Sequence, residues 1–104
     1  MNCFKYLIGK SQRHNQQLLD EAGPNDYWIH VAERPGAHLV IKNPENEKIS
    51  AEVLKEHCKE LKSRSNKFSD EKNVGFYITQ IKHLEMTGVA GQVKILKLLK
   101  KIRV

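Results

Sequence analysis

Asn25-Asp26-Tyr27-Trp28-Ile29-His30-Val31-Ala32-Glu33-Arg34-Pro35-Gly36-Ala37-His38-Leu39-Val40-Ile41-Lys42 is the stretch that decides the fold. It reads as two strands, residues 27–32 and 38–42, around a turn at Arg34-Pro35-Gly36. Pro fixes φ there and Gly is expected to supply a positive φ. Side chains alternate along a strand. Tyr27, Ile29 and Val31 point one way, and Trp28, His30 and Ala32 the other. In the second strand Leu39 and Ile41 share a face, and His38, Val40 and Lys42 share the opposite one. Bringing the apolar sets together on one side requires paired residue numbers with an even sum, such as Ile29 opposite Ile41. The other face then gathers Trp28, His30, His38 and Lys42, with Arg34 at the turn. An aromatic ring, two imidazoles and cations on one face do not make a core pattern.

Upstream of the hairpin, Phe4 to Ile8 is a short apolar run closed by Gly9, the pattern of a first strand. Ser11 to Glu21 reads as a short helix with Ser11 as N-cap and Gly23-Pro24 as its stop. Downstream, Asn43 to Lys48 is a polar loop. Ser50 to Lys67 is the clearest helix: Ser50 caps it, and Ile49 can staple onto Leu54. Leu54, Cys58, Leu61, Ser65 and Phe68 form its apolar stripe, and Glu60 and Arg64 make an i,i+4 pair. Val74 to Gln80 reads as a strand. Gln92 to Val104 fits a helical stripe or two short strands around a turn at Leu98–Lys100, and its β-branched residues favour strands. The element order predicts an α+β fold. It has a small mixed or antiparallel sheet with a central β-hairpin, and one long and one short helix packed on it.

The chain has 104 residues, 39% of them hydrophobic and 29% charged. This is globular composition with room for one domain over residues 1–104 and a radius of gyration of about 13 Å. Its 18 Lys and Arg against 12 Asp and Glu give a net charge of +6. Residues 1–42 carry five basic and four acidic groups, and residues 43–72 carry seven of each. Residues 73–104 carry six basic groups and one acid, Glu85, so the excess sits in the last third. A basic small domain suits an anionic partner, although the same charge also serves solubility. Two cysteines, Cys3 and Cys58, lie far apart and outside any C-x-x-C pattern. No signal-peptide h-region or membrane-length apolar run is present. These features predict a reduced, soluble, cytoplasmic protein without a membrane partner.

Three readings compete for the Trp28/His30/His38 face. In the first, the rings are covered by the preceding loop or short helix and serve packing. In the second, His30 and His38 bind a metal, with Asp26 or Cys58 as the third ligand, but no recognisable ligand spacing completes the set. In the third, aromatic and histidine rings stack on unpaired bases while Arg and Lys hold phosphates. No G-x-S-x-G, Walker loop, H-E-x-x-H or Rossmann fingerprint appears. Cys58 lies on a core stripe, and His14, His57 and His83 read as surface or core-edge residues. Asp26, immediately before a strand, fits a turn hydrogen bond. The residues therefore favour a non-enzymatic binding module without a cofactor. A protein-docking module using the basic C-terminal region, or a small His-based metal-dependent hydrolase, are the alternatives.

The hairpin segment, Asp26-Tyr27-Trp28-Ile29-His30 followed by Pro35-Gly36-Ala37-His38 and aliphatic residues, resembles the signature of the NFACT-R domain family. That family carries D-x-W-x-H, a spacer, then P-G-S/A-H. Leu7-Ile8-Gly9-Lys10-Ser11 with Asn15 and Leu18 is similar to the family's strand, Gly-Lys/Arg step and Asn-x-x-Leu turn. Lys62-Ser63-Arg64, the strand Val74 to Thr79 and Gly91-Gln92-Val93 match more loosely. The resemblance implies an RNA-binding module of the kind found in ribosome-associated quality-control factors, or a small stand-alone version of it. The implied partner is ribosomal RNA or tRNA, and through it the large ribosomal subunit. DNA remains open as a second polymer. Carried onto matching positions, the implied site is Lys10, Asn15, Asp26, Trp28, His30, Pro35, Gly36 and His38. Geometry and charge add Arg13, Arg34 and Lys42. The sequence departs from the family at Val89-Ala90, where a basic-Pro pair is common, and at Glu85-Met86. Weaker RNA contact is expected of that loop. The other NFACT domains and their coiled coil are not among these residues, so peptide tailing is not implied.

Overall fold

A computed structural model describes residues 4–104, and Cys3 lies outside them. The elements are β1 (Tyr6–Ile8), α1 (Gln12–Glu21), β2 (Tyr27–Val31), β3 (Leu39–Ile41), α2 (Ala51–Ser63) and β4 (Gly75–Gln80). A 3-10 turn (Ile81–His83), β5 (Leu84–Met86), β6 (Val93–Ile95) and β7 (Lys100–Arg103) follow. The fold is α+β, with an antiparallel five-stranded sheet in the order β1-β3-β2-β4-β7 and a separate β5-β6 ribbon. The Cα radius of gyration is 12.6 Å.

Both helices start where a serine hydroxyl takes up a first-turn amide that has no partner within the helix. Ser11 Oγ accepts from His14 N at 3.1 Å, and Ser50 Oγ from Val53 N at 3.3 Å. Ile49 and Leu54 are both buried in the same cluster, as a hydrophobic staple requires. Helix α2 stops at Ser63 rather than running to Lys67. Ser63 Oγ donates to the Glu60 carbonyl, and Ser65 Oγ accepts from Lys67 N. Such local side-chain bonds compete with helix continuation. The early stop lets Phe68 turn back into the core, edge-on to Phe76 at 6.2 Å.

The hairpin pairs Tyr27 with Ile41, Trp28 with Val40 and Ile29 with Leu39. The even-sum parity holds, but Ile29 faces Leu39 rather than Ile41. The connection from Ala32 to His38 is longer than a tight turn. Its positive φ belongs to Glu33, at 59°, and not to Gly36. Gly36 is there for space: a Cβ would stand 2.9 Å from Val31 Cγ1. The C-terminal segment forms two strands that do not pair with each other. β6 joins β5 and β7 joins β4.

The alternation of β2 divides the molecule into three layers. Tyr27, Ile29 and Val31 face α2 with Leu39, Ile41, Leu54, Cys58, Leu61, Phe76 and Ile78. Trp28 and Val40 face the other way and are covered by Leu18 and Leu19 of α1, with Leu84, Val93 and Ile95 of the β5-β6 ribbon packed alongside. Of the readings the sequence leaves open for the Trp28/His30/His38 face, coverage by the short helix before the hairpin holds for Trp28 and His38. Trp28 is 2% and His38 3% exposed, while His30 is half-buried. Burying such apolar side chains contributes about 1.5–3 kcal/mol each, which is why the second face closes over.

Candidate nucleic-acid interface

The layer between α1 and β5-β6 does not cover the whole sheet face. Beyond Trp28 it opens into a cleft of about 600 Å³ between the Glu33–Gly36 loop and the Ala90–Gln92 turn. Trp28, His30, His38 and Tyr77 contribute the rings that line it. Register explains how they meet. His30 pairs with Tyr77, and Tyr77 with Lys101. His38 continues the register that sets Ile29 opposite Leu39, so it stands opposite His30. One transverse row thus runs His38, His30, Tyr77, Lys101 from the start of β3 across β2 and β4 to β7. The Lys101 ammonium lies 5.7 Å from the Tyr77 ring centroid.

The rings hold one another. His30 is parallel to Trp28, with 5.5 Å between centroids, and His38 stands edge-on to both. The Trp28 indole N–H donates to His38 Nδ1 at 3.1 Å. Indole nitrogen is only a donor. His38 Nδ1 is therefore the acceptor, and the neutral ring carries its proton on Nε2. Burial pushes the His38 imidazole down to about 4, with His30 adding to the effect and the Gly91 backbone opposing it. Burial also lowers His30, against opposing hydrogen bonds to the Val31 and Gly36 backbone. At neutral pH the cleft floor is aromatic and uncharged.

Asn15 anchors the back of the cleft. His38 N donates to its Oδ1 at 3.2 Å, and Gly9 N donates to the His38 carbonyl at 2.9 Å. A Cβ at Gly9 would land 1.8 Å from Asn15 Oδ1, so this approach of α1 to the sheet demands glycine. The Ala90–Gln92 turn is tied to the same helix. Gln12 Nε2 donates to the Ala90 carbonyl at 2.7 Å, and Gly91 N donates to Gln16 Oε1 at 2.9 Å. Gly91 has a φ of +75°, and a Cβ there would stand 2.8 Å from the Gln12 carbonyl oxygen.

Of the residues expected at the site, Asn15, Trp28, His30, Arg34, Pro35, Gly36 and His38 line the cleft. Arg34 is already engaged: it grips Glu71 through two bonds of 2.8 and 3.0 Å and lies 4.9 Å from the Phe68 centroid. Lys10 and Arg13 are exposed around the start of α1, outside the cleft. Asp26 is buried and structural in its contacts. Its carboxylate accepts from Gly23 N at 2.9 Å and Asn43 N at 2.7 Å, and pairs with Lys42 at 3.3 Å. Asp26 and Lys42 therefore brace the hairpin away from the cleft. The third metal ligand considered from sequence is not at hand. Cys58 belongs to the core on the α2 side, and no cluster of three His, Cys, Asp or Glu suits a metal among the described residues. Sequence reasoning missed Tyr77 and Lys101. Their signal was the parity of the strand at 75–80, which sets Tyr77 opposite in sense to Phe76 and Ile78.

The domain is thus a three-layer α+β fold with a ring-lined cleft on one face of its sheet. The chain belongs to the NFACT protein RNA binding domain family, whose sequence profile matches residues 2–96. It is similar to the Rqc2 homolog RqcH of Bacillus subtilis, 29% identical over 80 residues, 76% of this chain and 13% of that protein. The chain thus spans only a small part of that relative. Its fold is similar to the solved C-terminal part of the fibronectin/fibrinogen-binding protein from Streptococcus suis. The TM-score is 0.80 and the identity 26%, covering 95% of this chain and 39% of the other. Among the described residues no helix is long and apolar enough to cross a membrane.

Proposed function

We propose that residues 1–104 act as one non-enzymatic RNA-binding module, whose cleft receives an unpaired base while flanking cations hold the adjoining phosphates. The observation that carries this reading is the row His38, His30, Tyr77, Lys101, which ends a set of neutral rings on a cation. Neutral imidazoles offer stacking surface and hydrogen bonds but no charge for phosphate. A ring-lined, uncharged floor suits a base, and bases splayed from single strands stack on such rings. Tyr77 is half-buried and faces the cleft, so it is the stacking residue of choice. Trp28 supports it from beneath through His30.

Under this reading the RNA is ribosomal RNA or tRNA on the large subunit, and the module works in the cytoplasm. Family membership and the likeness to an Rqc2 homolog support a role in ribosome quality control. Crosslinking in cells with sequencing of the bound RNA tests it. Enrichment of rRNA or tRNA over messenger RNA is the expected result. Crosslinks spread over messenger RNA in proportion to its abundance would contradict it.

A further inference from the structure

Away from the cleft, α2 and the β7 end of the chain enclose a second concavity, of about 480 Å³, lined by Lys55, Lys59, Lys62, Ser63, Ser69, Arg103 and Val104. Lys55, Lys59 and Lys62 follow a 4-3 spacing and so share one stripe of α2. The acids Glu52, Glu56 and Glu60 occupy a neighbouring stripe. The helix is oriented with the Glu side toward β1, where the Tyr6 hydroxyl donates to Glu60. Its Lys side faces β7, where Lys62 Nζ donates to the Val104 carbonyl at 3.1 Å.

Electrostatics alone would favour the reverse orientation. β7 is itself basic, and its Arg103 lines the groove. Turning the lysines of α2 toward it gathers like charges, which repel. Among the described residues no side-chain carboxylate pairs with Lys55, Lys62 or Arg103, Lys62 being held by the Val104 main-chain oxygen, and Lys59 meets only Glu56, at an exposed 3.5 Å. The near-neutral charge count of residues 43–72 conceals this, because it averages over both stripes. The Ser69 hydroxyl adds a neutral donor of the type that phosphate oxygens accept from, whereas that of Ser63 is committed to the Glu60 carbonyl.

We propose that the α2-β7 groove is a second anion site that holds the phosphodiester backbone of the bound RNA. It neutralises at least two phosphates through Lys55, Lys59 and Arg103. The proposal rests on the RNA-binding reading and extends the RNA-facing surface past the β7 edge, where Lys101 lies beside the Tyr77 ring. The site is a charge site without rings, so it adds affinity and salt dependence rather than base preference.

The test measures binding of a fluorescein-labelled (rU)15 oligonucleotide by anisotropy across a salt series. The variants are Lys55→Gln/Lys59→Gln in the groove and Tyr77→Ala in the cleft. The groove variant should bind more weakly and lower the slope of log affinity against log salt by about 0.7 for each phosphate it no longer neutralises. Its melting temperature should match that of the wild type or exceed it, since repulsion is relieved. Tyr77→Ala should weaken binding and leave the slope unchanged. Oligonucleotide binding with wild-type slope in the groove variant overturns the second site and leaves the cleft reading standing. A fall in slope with no effect of Tyr77→Ala supports the groove and overturns the cleft. No binding by the wild type overturns both.

Discussion

The indole N–H of Trp28 is bonded to Nδ1 of His38 at 3.1 Å, with both residues almost wholly buried at the floor of the cleft. A protonated His38 would turn that nitrogen into a donor facing a donor. The bond thus joins the packing of the second core layer to the charge state of the cleft.

A pH dependence of stability follows. His38 is held at about 4 in the fold, against an ordinary value of 6.5 when unfolded. Folding therefore releases a proton whenever the unfolded ring is charged. The stabilisation is complete above pH 7, is lost as pH falls through 6.5, and is exhausted near pH 4. The loss at pH 5 is about 2 kcal/mol from this residue. His30 is shifted in the same direction and adds to it. Urea denaturation at pH 7.5 and pH 5 measures the difference. Equal midpoints at the two values would show that neither ring is buried neutral.

The contact between Gly9 and Asn15 sets how closely α1 approaches the sheet. Gly9→Ala should destabilise the protein by about 1–3 kcal/mol through overpacking. Combined with Asn15→Ala, which removes the opposing oxygen, it should cost less than the sum of the two single changes. Additive costs in chemical denaturation would mean that the two residues do not touch.

Asp26 holds the ends of the hairpin together. Asp26→Ala leaves the Gly23 and Asn43 amides without their acceptor and should cost about 1–3 kcal/mol. RNA affinity of the folded protein should stay at the wild-type level. A large loss of affinity at unchanged stability would return Asp26 to the binding surface. Leu54→Ala, in the core beneath α2 and fully buried, should cost about 2–5 kcal/mol and likewise leave affinity alone.

Much of this architecture was legible in local signals. Ser11 and Ser50 marked both helix starts, and the two-residue period of 27–31 sorted its side chains correctly between faces. What alternation does not reveal is whether a face meets water. Trp28 and His38 fell on the side without α2, but α1 and a ribbon formed by residues 84–95 come to cover it. That ribbon depends on pairing Leu84 with Ile95, a choice that residues 92–104 alone left open between helix and strand. The cleft was half legible for the same reason. The hairpin supplied Trp28, His30 and His38, whereas Tyr77 and Lys101 join them only through register with β4 and β7. Arg34 looked free in sequence because its partner, Glu71, is 37 positions away.

The stacking role of Tyr77 separates from its support. Tyr77→Ala should cost about 1–3 kcal/mol of RNA binding, and Lys101→Gln should lower affinity with little effect on melting temperature. Tyr77→Phe, which keeps the ring, should bind like the wild type. Isothermal titration with single-stranded RNA distinguishes these variants. Equal losses for Tyr77→Phe and Tyr77→Ala would point to the hydroxyl instead of the ring.

Entry of RNA into the ring-lined cleft is decided by NMR of the aromatic side chains during an RNA titration. The chain has one tryptophan, so its indole N–H gives a single resonance. On addition of (rU)15 the His30 and Tyr77 ring signals and the Trp28 indole signal should all shift and saturate together. Saturable binding registered elsewhere on the protein, with these three residues unmoved, would contradict binding in the cleft.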